Sequence, residues 1–246
     1  DLSSLRTGIM AGSPCPIEVM QRVVQDMGAH EITIAYGLTE ASPVITQTRT
    51  TDPLEIRVGT VGEPMAGLEV KTVIPGTEDI TAPGEIGELM VRGHCVMKGY
   101  YRKAEDTAEA ITPDGWLHTG DLADCYDGFY RITGRIKDLV IRGGENIYPR
   151  EIEEFLFTHP AIVDVQVVGL PDRKYGEELS AWIQLKPDHQ LTGEEVTSFC
   201  KGKISHFKIP VYIFFVDSYP TTVTGKIQKF KLRELGIESL RAKGIY

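Results

Sequence analysis

Gly134-Arg135-Ile136-Lys137-Asp138-Leu139-Val140-Ile141-Arg142-Gly143-Gly144-Glu145-Asn146-Ile147-Tyr148-Pro149 is the stretch at which the chain changes character. Two charged clusters flank a short apolar run, a double glycine follows, and Pro149 stands where a helix can open, because its ring presets φ for the first turn. The pattern predicts a strand over Asp138 to Arg142 and a helix from Pro149 through Phe157. Downstream, strands are expected at Ile162 to Gly169, Glu178 to Leu185 and Val211 to Val216. Thr192-Gly193-Glu194-Glu195 reads as a capping box opening a helix towards Ile204, and Lys229 to Leu235 as the last helix. Upstream, Pro16 opens a helix with Ile17, Met20, Val23, Val24 and Met27 on one face, ended by Gly28, and Ile32 to Tyr36 reads as a buried strand. From residue 53 glycines and prolines punctuate short strands at Leu68 to Ile74 and Glu85 to Arg92. A short helix at Lys103 to Ala110 and two strands turning at Asp127-Gly128 complete that part. The expected fold is therefore mixed α/β and α+β. It comprises residues 1–134, an α/β piece with a β-rich subdomain at 53–134, followed by a small α+β domain at 135–246.

The length of 246 residues fits one large domain or two small ones, and 41% hydrophobic with 25% charged residues is globular rather than disordered usage. A formal net charge of −9 argues against a nucleic-acid partner, which needs a basic field to meet phosphate. It leaves room for a local basic site facing a small anion. Apolar runs such as Val211 to Val216 stop at about six residues, against the ~20 of a spanning helix, so no transmembrane segment is expected. Cys15, Cys95, Cys125 and Cys200 form no Cys-x-x-Cys pair, which argues against zinc or a disulfide framework and for a reducing compartment. Asp1-Leu2-Ser3-Ser4-Leu5-Arg6 has neither signal layout nor initiator Met, so the chain is expected to start inside a larger protein.

Four polar, glycine-rich segments interrupt the apolar patterns. Tyr36-Gly37-Leu38-Thr39-Glu40 follows a buried strand, at the carboxyl end where α/β folds place ligands. Its hydroxyl and carboxylate suit magnesium or a polyphosphate, and equally a strand-to-helix turn with a cap. Gly115-Trp116-Leu117-His118-Thr119-Gly120-Asp121 ends in a carboxylate that can accept two bonds from ribose hydroxyls, or cap a β-turn. His118 has no visible partner and reads as structural. In the stretch quoted first, Gly143-Gly144 lets backbone approach a ligand, or forms part of a solvated loop. Thr221-Thr222-Val223-Thr224-Gly225-Lys226-Ile227-Gln228-Lys229 puts an ammonium on a small-residue loop, within reach of a phosphate or carboxylate or merely exposed. It is not a Walker loop, since neither the upstream glycine nor the downstream hydroxyl is present.

In this order and spacing the segments resemble the acyl-adenylate-forming superfamily of acyl-CoA synthetases, 4-coumarate–CoA ligases, luciferases and peptide-synthetase adenylation domains. The resemblance runs from Ala11-Gly12-Ser13-Pro14 to Lys226, and looks most like a medium-chain-type fatty-acyl-CoA synthetase. It implies the C-terminal part of the large adenylating domain over 1–134, without the upstream phosphate loop, then a complete mobile C-terminal domain over 135–246. The implied reaction joins a fatty acid to CoA with ATP and Mg2+, releasing AMP and pyrophosphate. The implied partners are those substrates and the missing N-terminal part of the same enzyme, and the implied location is cytoplasmic, or the mitochondrial matrix in a eukaryote. The alternatives are an acyl-AMP ligase loading a carrier protein, and a non-catalytic adenylate-binding module.

The resemblance also implies roles. Gly12, Ser13 and Pro14 line the adenine, Tyr36 stacks on it, and Gly37 is counted with the nucleotide-binding residues. Thr39 and Glu40 serve the phosphates and Mg2+, with Glu40 as the metal ligand. Asp121 and Arg135 hold the ribose. Lys226 bridges carboxylate and α-phosphate in adenylation. Lys137 is the hinge, and Gly143-Gly144 line the pantetheine path. Tyr175, Phe207 and Lys208 match places near the CoA nucleotide.

Overall fold

Two parallel strands begin the chain. β1 (Thr7–Met10) lies beside β2 (Glu31–Gly37), and α1 (Ile17–Asp26) makes the crossover between them. Met20 and Val24, four apart on α1, bury one face of the helix against Ala29, Ile32 and Ile34. A 3-10 turn (Thr39–Ala41) leads to β3 (Val44–Gln47), antiparallel to β2. After α2 (Leu54–Gly59), β4 (Glu63–Pro64) closes a sheet ordered β1-β2-β3-β4. The computed structural model describes residues 1–13, 15–223 and 225–245.

A second sheet follows as an antiparallel meander of β5 (Leu68–Val73), β6 (Gly87–Gly93), β7 (Leu117–Tyr126) and β8 (Phe129–Arg135), with α3 (Ala104–Ala110) between β6 and β7. The two sheets share one core. Ala41 and Ile45 from the first pack with Leu89, Val91, Leu117 and Ala123 from the second. Gly62 bridges to Tyr130 across the join. Its φ is +83°, and a Cβ there would stand 2.1 Å from the Gln47 carbonyl, so only glycine fits.

The chain divides into two units, Asp1–Ile136 and Lys137–Tyr246. In the second, β9 (Val140–Arg142) and β10 (Glu145–Ile147) form a hairpin, and α4 (Pro149–Phe157) follows. β11 (Ile162–Asp172) pairs with β12 (Gly176–Leu185). Beyond α5 (Gly193–Cys200), β13 (Tyr212–Phe215) runs parallel to β12, and α6 (Lys229–Ala242) ends the fold. Ile152 and Leu156 of α4 pack on Val165, Val167, Leu179 and Ile183 to make the core. The α5 capping box is present, with Thr192 and Glu195 exchanging side-chain and backbone bonds.

Several elements depart from the sequence reading. β1, β3, β4, α2 and β10 are additional. Ile136–Asp138 is a 3-10 turn, so the expected strand at Asp138 starts at Val140. α5 stops at Cys200 rather than running towards Ile204, and α6 extends to Ala242 rather than Leu235.

The join at Gly62 gives a stability test. Gly62→Ala drives a methyl into the Gln47 backbone, and overpacking of this kind costs about 1–3 kcal/mol. The chain has two tryptophans, Trp116 and Trp182. With Trp182 replaced by Phe, urea unfolding followed at Trp116 is expected to show a lowered midpoint. An unchanged midpoint would mean the join is not tight.

Candidate functional site

Because β1 and β2 are parallel, the loops that follow them leave the sheet at the same end. One loop carries Gly12 and Ser13, both exposed, with Gly12 at φ +89°. Pro14, read with them in the sequence, lies outside the described residues. The other loop carries Gly37, Thr39 and Glu40. At Gly37 a Cβ would lie 1.7 Å from the Pro43 carbonyl oxygen, so the chain's close return through the 3-10 turn accounts for this glycine.

Tyr36, at the end of β2, is brought to Asp121 on β7. Its hydroxyl donates to Asp121 Oδ2 at 2.7 Å, while Arg135 Nε of β8 donates to Oδ1 at 3.1 Å. Three residues singled out separately in the sequence thus form one cluster. Asp121 is 8% exposed, so its charge is held by these donors rather than by bulk water. Burial first, and then the Asp121 charge, push the Tyr36 phenol well above its ordinary value.

Glu40 is held from the far side. Tyr100 donates its hydroxyl to Glu40 Oε1 at 3.0 Å, and the Met97 N–H reaches the Glu40 carbonyl at 2.8 Å. The hydrogen bond to Glu40 raises the Tyr100 pKa. Among the described residues no group of three or more His, Cys, Asp or Glu could hold a metal. The oxygens of Thr39 and Glu40 nevertheless suit Mg2+, which is commonly held by one or two carboxylates together with substrate phosphates.

His118 does have a partner, which sequence reasoning missed. Its Nδ1 lies 3.0 Å from Oε2 of Glu88, a residue only 6% exposed, and Glu88 Oε1 accepts the Gly120 N–H at 3.1 Å. Nothing in the spacing marks Glu88, because the pair depends on the register of β6 against β7.

In the second unit, Gly143 and Gly144 are the two-residue turn of the β9–β10 hairpin, with φ of +61° and +90°. Positive φ at both central positions is the geometry of a type I′ turn. The Gly143 N–H donates to the Tyr175 carbonyl at 2.8 Å, and no atom comes within 4 Å of a Cβ built on Gly144. Arg142 pairs with Glu178 at 2.6 Å, its guanidinium 4.1 Å from the Tyr175 ring centre. Lys226 lies in a tight reversal, where its N–H donates to Thr222 Oγ1 and its carbonyl accepts from the Thr222 N–H. Its ammonium is exposed and pairs with no carboxylate among the described residues. Lys137 is exposed in the 3-10 turn. Lys208 is already paired, its ammonium 2.6 Å from Glu151.

The sequence model of AMP-binding enzymes matches residues 1–101, and that of the AMP-binding enzyme C-terminal domain matches residues 151–226. The putative acyl-CoA synthetase YngI of Bacillus subtilis is 61% identical over 239 residues, 97% of this chain and 44% of YngI. The mitochondrial medium-chain acyl-CoA ligase ACSF2 of Danio rerio is 54% identical over 95% of this chain and 39% of its own length. The crystal structure of ATP-bound MatB from Rhodopseudomonas palustris matches 93% of this chain and 45% of MatB, with a TM-score of 0.88 at 32% identity. The chain thus spans less than half the length of the curated relatives it matches.

The Tyr36–Asp121 bond makes a prediction about pH. Because the folded pKa of Tyr36 is raised, its contribution to stability is fully present below the ordinary tyrosine value near 10.0 and is lost as pH rises through the folded value. Tyr36→Phe is expected to cost about 1–3 kcal/mol in urea unfolding at neutral pH and to flatten the alkaline loss of stability. Ultraviolet titration of the folded protein checks the assignment. The phenolate signal developed below pH ~11 should be the same with and without Tyr36.

Proposed function

The chain belongs to the AMP-binding enzyme family, and on that premise we propose that it is part of an ATP-dependent, AMP-forming fatty acid–CoA ligase. In the first half-reaction the fatty-acid carboxylate attacks the α-phosphorus of ATP, and the bond to pyrophosphate breaks. In the second, the CoA thiolate attacks the acyl carbonyl carbon and AMP leaves.

The Asp121 cluster carries this reading. A carboxylate offers about four lone-pair sites, and Tyr36 and Arg135 occupy one on each oxygen. The remaining two suit the vicinal hydroxyls of a ribose, which donate in parallel. Tyr36 then contributes its ring face to the adenine while its hydroxyl stays on Asp121, and Gly12, Ser13 and Gly37 supply backbone that side chains do not obstruct. Pro14 belongs with them in this reading. Thr39 and Glu40 take the phosphates and the Mg2+ that accompanies them. Mg2+ supplies charge neutralisation at the phosphoryl oxygens.

Lys226 acts in the first half-reaction. An exposed ammonium on a small-residue turn is free to meet the carboxylate and α-phosphate oxygens as negative charge builds between them. The Gly143-Gly144 turn acts in the second, presenting backbone along which the pantetheine arm passes. Lys137, the first residue of the second unit, is the pivot that exchanges the two arrangements. The second unit is thus a mobile domain and the first the end of the adenylating domain.

The test uses the longer enzyme that carries this chain and measures the half-reactions separately. Fatty-acid-dependent pyrophosphate release reports adenylation, and conversion of supplied acyl-AMP with CoA reports thioester formation. Lys226→Ala is expected to slow adenylation on the order of 10²–10³-fold, the usual cost of removing one preorganised charge-stabilising group. It should leave thioester formation within a few-fold. Adenylation surviving within about tenfold would overturn the role of Lys226, and no fatty-acid-dependent release in the wild type would overturn the ligase reading itself.

A further inference from the structure

β7 is longer than the strand it pairs with. His118 pairs with Met90 and Leu122 with Glu88, so four residue steps on β7 face two on β6. Thr119, Gly120 and Asp121 therefore bulge out opposite Leu89, with Gly120 at φ +69°. A bulge re-aims a side chain, and here the one re-aimed is Asp121. On the β6 side a bulge alone is loose, because the residues that bulge out have lost their ladder partners there. Two side-chain pins hold this one. Thr119 Oγ1 donates to the Leu89 carbonyl at 2.6 Å and accepts the Asp121 N–H at 3.1 Å. Glu88 Oε1 accepts the Gly120 N–H at 3.1 Å, and His118 Nδ1 steadies the other Glu88 oxygen at 3.0 Å.

We infer that Glu88 is a positioning residue for the nucleotide ribose, setting the aim of Asp121 by gripping the Gly120 N–H from the neighbouring strand. The inference rests on Asp121 being the ribose contact. Glu88 spends a carboxylate in a site where it is 6% exposed, which is costly unless its hydrogen bonds are made. Both oxygens are directed to the two residues on either side of Thr119, with one bond to the side chain of His118 and one to the backbone of Gly120. Tyr36 and Arg135 fix the Asp121 oxygens from the other side, so the carboxylate is clamped at its head and its backbone is clamped by Glu88. A displaced backbone would turn the free lone pairs away from the paired hydroxyls.

The experiment compares ATP with 2′,3′-dideoxy-ATP as substrates of the enzyme that carries this chain, reading kcat/KM for fatty-acid-dependent pyrophosphate release. The wild type is expected to prefer ATP by about 100-fold, the scale of hydrogen bonds to a charged group. Glu88→Ala should reduce that ratio about tenfold or more, chiefly by raising KM for ATP. Glu88→Gln keeps an acceptor for the Gly120 N–H and should retain most of the preference. Glu88→Asp keeps the charge but is one methylene too short, and should lose the preference, so it carries the test if the alanine variant does not fold. A merely structural role would lower kcat/KM for both nucleotides together and leave their ratio at the wild-type value, which would overturn the inference. A wild type that does not distinguish the two nucleotides would overturn the ribose reading beneath it.

Discussion

The hydrogen bond between Tyr36 and Asp121 joins positions 85 apart in sequence and ties the two sheets of the first unit together where their functional groups meet. It exists only because the shared core of Ala41, Ile45, Leu89, Val91, Leu117 and Ala123 fixes β2 and β3 against the meander. The phenol could not stay within 2.7 Å of the carboxylate if that packing slipped by even one side-chain width. Arg135 completes the set from β8, directly opposite Asp121 in the ladder. Hydrophobic packing thus supplies position, and the polar groups supply direction. A carboxylate this buried needs both.

The second unit solves a similar problem with ion pairs. α6 is fastened to α4 by Lys229 on Glu153 and to β12 by Arg233 on Glu177, while Arg142 and Glu178 pair across β9 and β12 with little exposure. Such pairs add modest net stability because desolvation offsets attraction, but removing one partner strands a charge. Lys226, by contrast, has an exposed ammonium with no carboxylate partner among the described residues. Lysines 208 and 229 are equally close to carboxylates that hold them in place.

Where apolar periodicity was strong, the sequence was readable. α1 and α4 carry apolar residues at helical spacing behind a proline, and the strands of the meander are set off by turns rich in glycine and proline. β1 and β10 were missed because Thr-Gly-Ile-Met and Glu-Asn-Ile are too short and too polar to show a period, and are strands only by virtue of their neighbours. α2 was missed because six residues ending in glycine make barely a turn and a half. Asp121, Arg135 and Tyr36 were each visible as polar residues in glycine-rich settings, but the Tyr36–Asp121 contact was not, since it depends on how two sheets pack. Glu88 was hidden more deeply. It sits in an ordinary strand, and only the uneven register of β6 and β7 brings it to Gly120.

That uneven register has a consequence for how this part of the protein can change over time. Side chains alternate along a strand, so one surplus residue turns every following side chain from core to solvent unless a bulge absorbs it, whereas two restore the phase. The surplus on β7 is two. Leu117 before the bulge and Ala123 after it face the same core, as do Leu89 and Val91 on the partner strand. A single-residue change of length between them keeps the core only where a bulge takes it up, as β8 does at Thr133 opposite Leu122 and Ala123. A two-residue change keeps the phase without that help, so the fold resists odd changes of length here more than even ones.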